Sequence, residues 1–312
     1  MRSVYRKNIL ATTDGKELRA LGRSLPQLDT AAWDKESPDV MRKLIRSSFE
    51  QNPEAKAALL ATGDAKLTHR PDDSRWGELF PEILTDVRHS LAIQKNNDIV
   101  FTESAGGYQK RTLENAQAYD VDFTLAFATD FSTHGEKATA RAAGDSLIAV
   151  DLPLKAKGGL NMSASAVRKV AGHIIDCLPD EFAKGQPFGV NIAGNGIYTL
   201  AKEGISQQDI DQFMCAVGVE LTNRGVQISS VRSGGQTGVD EAGAAMGKAL
   251  EIPTTVHAPK GWVFRGENGK DVTNDQEAFK NRFAAKDYGK LASTAKILMA
   301  PKVTMKPAIK LA

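Results

Sequence analysis

Ser233–Gly243 reads SGGQTGVDEAG, which crowds three kinds of chemistry into one short run. Gly234, Gly235 and Gly238 carry no Cβ, so the backbone there can approach another group closely. Ser233, Gln236 and Thr237 add polar donors, and Asp240 adds one acid. Val226–Val231 before the run alternates and is β-branched, as a strand does. Asp240–Leu250 after it is Ala-rich, as a helix is. The glycines therefore belong to a strand-to-helix turn, where free N–H groups at a helix start suit an anion. The first expectation is a phosphate cradle, with Asp240 as a cap-region acid, a ribose acceptor or a general acid or base. On that expectation Gly235→Val blocks the ligand and spares the fold. The competing expectation is a tight turn that only packs.

Three further stretches have the same character. NIAGNGIYTL, Asn191–Leu200, brings Gly194, Asn195 and Gly196 after a second strand. THGEKAT, Thr133–Thr139, follows a third and offers Thr133, Gly135 and Thr139 as ligand contacts. His134 and Glu136 are its potentially titrating pair, with His134 left undecided between solvent and site. HAPKGW, His257–Trp262, offers Lys260 to a phosphate and Trp262 either to a base or to the core.

The elements that must hold these turns divide near residue 95. Residues 14–92 read as helical. Ser37 or Pro38 opens a helix through Val40, Met41, Leu44, Ile45 and Phe49. Asn52-Pro53 starts another, Gly63 stops it, and Asp72, Asp73 and Ser74 offer caps for a helix to about Ser90. Trp33, Met41, Phe49, Leu59 and Leu60 are its expected core, with Trp76 half-buried. Gln94–Asp98 reads as a boundary loop, giving domains 1–95 and 96–312. Beyond it, strands are expected at Phe123–Thr129, Ser146–Leu152, Phe188–Ala193, Ile228–Arg232, Pro253–His257 and Ile297–Ala300. The clearest helices between them are Ala164–Cys177, Ser206–Asn223 and Val239–Leu250. That alternation argues an α/β fold with a mostly parallel sheet, whose ligands bind at the C-terminal strand ends. The final dozen residues read as a loose tail.

Composition bounds the rest. A net charge of +2 over 312 residues argues against a protein that coats nucleic acid. Cys177 and Cys215 stand in no metal-ligand spacing and fit a reducing compartment. No signal peptide and no bilayer-length apolar run is visible. The expectation is a cytoplasmic protein with no metal, no cofactor and no membrane partner, which self-associates.

The four stretches also carry a resemblance. SGGQTGVD followed by a helix and PKGW resembles the molybdenum-cofactor carrier family of the SLOG superfamily, Rossmann-like proteins related to DprA and to the cytokinin-activating phosphoribohydrolases. YQKRTLENAQAYDVDFTLAFA, FSTHGEKAT, LIAVDL and VNIAGNGIYTL resemble segments that in the family follow the glycine turn, whereas here they precede it. The resemblance, over roughly residues 100–265, implies a circular permutation, which changes no core contact when the old termini adjoin. Arg111 and Gln236 complete the expected ligand contacts. A second resemblance covers Ala32–Gly77, where QNP, LLATGD and RWG are similar to the C-terminal half of NADAR domains. That family removes ADP-ribose from modified guanine. Its Glu-His segment has no counterpart here, and ELFPEILTDVR replaces a glycine-rich turn.

Together the resemblances imply a nucleotide or ADP-ribose-type ligand in a Rossmann-like crevice, and a chain of the kind carried by phages and mobile elements. The leading expectation is binding that sequesters an immune signal as counter-defence in the host cytoplasm. The alternative is hydrolysis of the ligand's N-glycosidic bond, with Asp122, Glu136 and Asp240 as the acids. A third is DprA-like nucleic-acid handling, against which the balanced charge speaks.

Overall fold

The computed structural model describes residues 14, 16, 17, 20, 30–63, 65–68, 75–96 and 98–300. The expected tail therefore lies outside the described residues, as do the caps at Asp72, Asp73 and Ser74. The chain divides into two compact units, Met1–Val87 and Arg88–Ala312.

Among the described residues, the first unit holds helices α1 (Thr30–Gln51), α2 (Pro53–Ala61) and the start of α3 (Trp76–Asn96). α1 does not open at Ser37 or Pro38 but runs through them. Pro38 has no N–H for the Asp34 carbonyl, a fault that ordinarily breaks a helix. Here Arg75 Nη1 donates to that carbonyl at 2.7 Å, and Arg75 also bonds the Ser37 hydroxyl and pairs with the Asp34 carboxylate at 3.3 Å. α2 starts as its sequence requires. Pro53 takes the first position, where no N–H is needed, and Asn52 Oδ1 accepts from Ala55 N at 3.2 Å.

Of the apolar side chains expected inside, Leu59 is buried, while Met41, Phe49, Leu60 and Trp76 are partly so. Trp33 is a correction. It is 45% exposed, and Val40 and the 62%-exposed Leu44 are exposed on the same stripe of α1, although Ser37 on that stripe and Arg46 across the helix are buried. The boundary loop also differs, because Gln94, Lys95 and Asn96 prolong α3. Both the expected domain boundary and the division at Val87 fall inside that helix.

The second unit is a Rossmann-like α/β fold. Its strands are β1 (Val100–Glu103), β2 (Phe123–Ala128), β3 (Leu147–Asp151), β4 (Phe188–Gly194), β5 (Ile228–Ser233) and β6 (Thr254–Ala258). They form one six-stranded sheet in the order β1-β6-β5-β4-β2-β3, every neighbour parallel. Parallel pairing puts all C-terminal strand ends at one edge. A two-stranded hairpin, β7 (Phe264–Arg265) with β8 (Asp271–Val272), follows β6. The connecting helices are α4 (Tyr108–Ala116), α5 (His134–Ala143), α6 (Ala164–Cys177), α7 (Gln207–Asn223), α8 (Val239–Ala249), α9 (Gln276–Ala284) and α10 (Tyr288–Met299). The strand expected at Ile297–Ala300 is the end of α10, which Asp287 caps by accepting from Lys290 N.

α7 is buried along most of its length, packed on α6, α8 and α10. Strand alternation divides the two faces of the sheet. Leu125, Phe127, Val190 and Ile192 enter the main core. Their alternates Thr124, Ala126, Asn191 and Ala193 are small or polar and face the other way. Asn191 Nδ2 donates to Thr124 Oγ1, its register partner, at 3.2 Å. That second face leads to a cavity at the strand ends.

Candidate functional site

A cavity of about 460 Å³ opens at the C-terminal strand ends. Its walls come from α4 (Tyr108, Arg111, Asn115), the start of α5 (Thr133 to Glu136, Thr139), the turn after β4 (Gly194, Asn195, Gly196) and the turn after β5 (Gln236, Thr237, Asp240). Arg265 and Tyr198 add cation and ring at its side. Of the residues singled out in the sequence, Arg111, Thr133, His134, Gly135, Glu136, Thr139, Gly194, Asn195, Gly196, Gln236, Thr237 and Asp240 are thus brought together. Ser233, Gly234, Gly235, Gly238, Lys260 and Asp122 are not among the wall residues.

The glycine turn after β5 spends its amides on the protein itself. Gly235 N donates to Ser233 Oγ at 3.0 Å, Thr237 N to Gln236 Oε1 at 3.1 Å, and Gly238 N to Gln207 Oε1 at 2.6 Å. Val239 N donates to the Asn195 carbonyl at 3.1 Å. The Thr237 hydroxyl goes to the Arg265 carbonyl, and the Ser233 hydroxyl to the Asp240 carbonyl. The glycines make room for neighbours in the protein. A Cβ on Gly234 would lie 1.6 Å from Arg111 Nη1, and one on Gly235 2.5 Å from both Phe279 and Val256. Gly235 also has φ +65 and Gly238 φ +91. The turn is closely packed rather than an open cradle, so the expected effect of Gly235→Val changes from lost binding to lost fold.

Three other residues are placed away from the cavity. Asp122 precedes β2 at the opposite end of the sheet, where its Oδ2 accepts from Gly189 N at 2.9 Å. That position removes it from the acids of the site. Lys260 is exposed and its backbone N–H is bonded to Gly106. Trp262 packs edge-on against Phe279, with ring centroids 5.4 Å apart, as a core residue does.

Glu136 is the chemically distinctive wall residue. Thr133-His134-Gly135-Glu136 has the spacing of a capping box. Thr133 Oγ1 accepts from Glu136 N at 3.2 Å, yet the Glu136 side chain does not return to the cap. Its Oε1 instead accepts from Asn195 Nδ2 at 3.1 Å, and its Oε2 is buried without a hydrogen-bond partner. Burial first, and the nearby Asp240 charge second, raise its pKa from 4.5 to about 7, against the Asn195 hydrogen bond that lowers it. A carboxyl near pH 7 both gives and takes a proton, as acid–base catalysis requires. His134, its sequence neighbour, is exposed.

Asp240 is buried against Arg111, whose Nη1 donates to Oδ2 at 2.9 Å. Burial raises the Asp240 pKa, while Arg111 and the backbone amides of Gln236 and Gly194 work against the rise. Arg111 Nε has no partner, and its guanidinium lies 5.8 Å from the Tyr108 ring centre. Burial likewise raises the Tyr108 pKa, so its hydroxyl stays protonated and accepts from Gln236 Nε2 at 3.2 Å. The sequence reading missed Tyr108, Asn191, Tyr198 and Arg265. Asn191 had a signal, a lone amide inside the apolar strand run FGVNIAG. Among the described residues, no cluster of His, Cys, Asp and Glu is suited to hold a metal ion, and no helix is long and apolar enough to cross a membrane.

Fold and cavity define the second unit as a Rossmann-like α/β unit with a buried carboxyl, Glu136, in the wall of a cavity at its strand ends. The first unit is illuminated by similarity. The family model for the NADAR domain matches residues 2–90. The chain is 33% identical over 100 residues to N-glycosidase YbiA of Escherichia coli strain K12 and to that of Shigella boydii serotype 4, covering 29% of this chain and 62% of each relative. It is 31% identical over 72 residues to N-glycosidase R617 of Acanthamoeba polyphaga mimivirus, covering 23% of this chain and 42% of the relative. The chain thus spans less than two thirds of the length of these relatives. No solved structure matches it.

Proposed function

We propose that this protein hydrolyses the N-glycosidic bond of a nucleotide or ADP-ribose-type ligand held in the cavity of the second unit. The observation that carries the reading is Glu136, a buried carboxyl in the cavity wall with a pKa of about 7 and one unpartnered oxygen. Departure of a purine base leaves negative charge on its nitrogen and positive charge on the sugar. A neutral carboxyl meets the first need, and its ionised form then takes a proton from attacking water. The chain's link to this reaction class lies in its first unit, where residues 2–90 match the NADAR domain and similar proteins are named as N-glycosidases. The cavity volume lies in the range of small-ligand sites, and Tyr108 and Tyr198 give it ring surface for a base.

A second reading is binding without cleavage, as in sequestration of a phage-defence signal. It draws on Asp240, which is held by Arg111 and so is less able to steady a cationic sugar. One experiment separates the readings. The full chain is incubated with NAD, ADP-ribose and nucleoside monophosphates, and bound and released molecules are weighed by mass spectrometry. Free base with wild type, and bound but intact ligand with Glu136→Gln, is the expected pair. Intact ligand with both proteins favours sequestration. Equal turnover by both removes Glu136 from the reaction.

A further inference from the structure

The Asn195 side chain has no hydrogen-bonding capacity to spare. Its Oδ1 accepts from Thr129 N at 2.8 Å, from Asp130 N at 3.1 Å and from the Thr129 hydroxyl at 3.2 Å. Its Nδ2 donates to the Asp130 carbonyl and to Glu136 Oε1, both at 3.1 Å. Turning the amide over would set its NH₂ against two backbone N–H donors and its oxygen against two acceptors. The surrounding backbone therefore dictates which way it points. Glu136 Oε1 always meets a donor. A neutral carboxyl accepts best through its carbonyl oxygen and carries its proton on the other. The other is Oε2, which is buried and has no partner.

We propose that Asn195 is a positioning residue that fixes the Glu136 proton on Oε2, so that the carboxyl enters the reaction as an acid at that one atom. The inference rests on the reading of Glu136 as the acid–base group. In the first step the bond from the anomeric carbon to the base nitrogen breaks. Its electron pair stays on nitrogen, which takes the Oε2 proton. Water oxygen then bonds to the cationic carbon, and the proton it sheds goes to the ionised Glu136. Asn195, still donating to Oε1, directs that proton back to Oε2. The sum is N-glycoside plus water giving base plus sugar, with Glu136 restored. The same amide joins the turn after β4 to the turns after β2, so the position of Glu136 depends on two loops that are distant in sequence.

The test uses the full chain labelled with ¹³C at glutamate carboxyls, with the Glu136 signal assigned by its loss in Glu136→Gln. Asn195→Ala removes the donor to Oε1 and leaves the Thr129 and Asp130 amides without an acceptor. Asn195→Asp keeps their acceptor and carries the test if the alanine variant does not fold. In Asn195→Asp an oxygen faces Oε1, so the proton is drawn between the two carboxyls and away from Oε2. The Glu136 titration midpoint is expected to rise by about one pH unit or more. Turnover of the N-glycoside at pH 7 is expected to fall at least tenfold. A Glu136 midpoint unmoved in folded Asn195→Asp overturns the inference, as does unchanged turnover. A midpoint raised in folded Asn195→Ala as well, in a protein that cleaves no N-glycoside, upholds the positioning role and overturns only the proposed hydrolysis.

Discussion

The turn from Ser233 to Gly238 and the turn from Thr133 to Glu136 both leave a parallel strand, open a helix and reach the same cavity. The first is rich in glycine, and its amides and hydroxyls are bonded to Ser233, Gln236, Gln207 and neighbouring carbonyls. The second has one glycine and an ordinary threonine cap, yet it leaves a buried carboxylate oxygen without a partner. Glycine marks where backbones and side chains must come close, and here the close neighbours are Arg111, Phe279 and Val256. Chemistry is marked by the unfinished hydrogen bond. A polar atom buried without a partner costs stability, and that cost is accepted most readily where a ligand or reaction uses the atom.

Gly235→Val is the severest test of this contrast. Its Cβ would meet Phe279 and Val256 at 2.5 Å, on a backbone with φ +65 that a β-branched residue resists. Overpacking costs about 1–3 kcal/mol and a strained backbone a similar amount, so a loss of about 4 kcal/mol in urea unfolding is expected. A variant of full stability that binds no ligand would restore the open cradle and break the contrast.

Glu136→Gln comes next, and its effect depends on pH. A carboxyl whose folded pKa is about 7 against an ordinary 4.5 binds its proton more tightly in the folded state. Between those values the folded chain keeps a proton that the unfolded chain has lost, so stability falls as pH rises through that window. Above pH 7 the cost is fully present, about 3 kcal/mol for the 2.5-unit difference. The amide never ionises. Glu136→Gln should therefore be more stable than wild type by about that amount at pH 8 and close to it at pH 4. Thermal unfolding at both pH values checks this, and equal differences at the two would mean that Glu136 is not buried as a near-neutral acid.

Much of the second unit was legible in its residues. The apolar runs that became β2 to β6 are separated by polar and glycine- or proline-bearing stretches, and their parallel order put the turns at one edge. β1 was not read, since it is four residues long and exposed at its far end. The run ending in Ile297–Ala300 is apolar in a way that suits strand or helix, and only its link to the Asp287 cap decides for helix. Local pattern also failed at Trp33 and Pro38. An apolar stripe states that a face is amphipathic without saying what covers it, and the bond from Arg75 that tolerates Pro38 comes from a residue far along the chain. The site was half legible for the same reason. Glu136 was visible as a residue, but its setting includes Asn195, a contact spanning 59 positions.

Thr133→Ala tests the second turn more gently. It removes the cap oxygen that accepts from Glu136 N at 3.2 Å, and a lost threonine cap costs about 1 kcal/mol. Because the same bond anchors the Glu136 backbone, the Glu136 titration midpoint should move as well. A stability loss with no movement would show that Asn195 alone sets the carboxyl.

Lys260→Ala should do least, and the reason lies in where its polar groups are. Its ammonium is on an exposed side chain away from the cavity wall, and its one structural bond, to the Gly106 carbonyl, runs through a backbone N–H that alanine keeps. Surface changes of this kind stay within about 0.5 kcal/mol. A phosphate held by Lys260 would give a different result. Losing a charge-assisted contact weakens binding by about 1.5 kcal/mol or more, over tenfold in Kd, and makes the remaining affinity less sensitive to salt. Calorimetry of Lys260→Ala with ADP-ribose at low and high salt therefore reads the cation's role directly. Unchanged affinity keeps the chemistry with Glu136 and Arg111, whereas a tenfold loss would extend the site to the turn after β6.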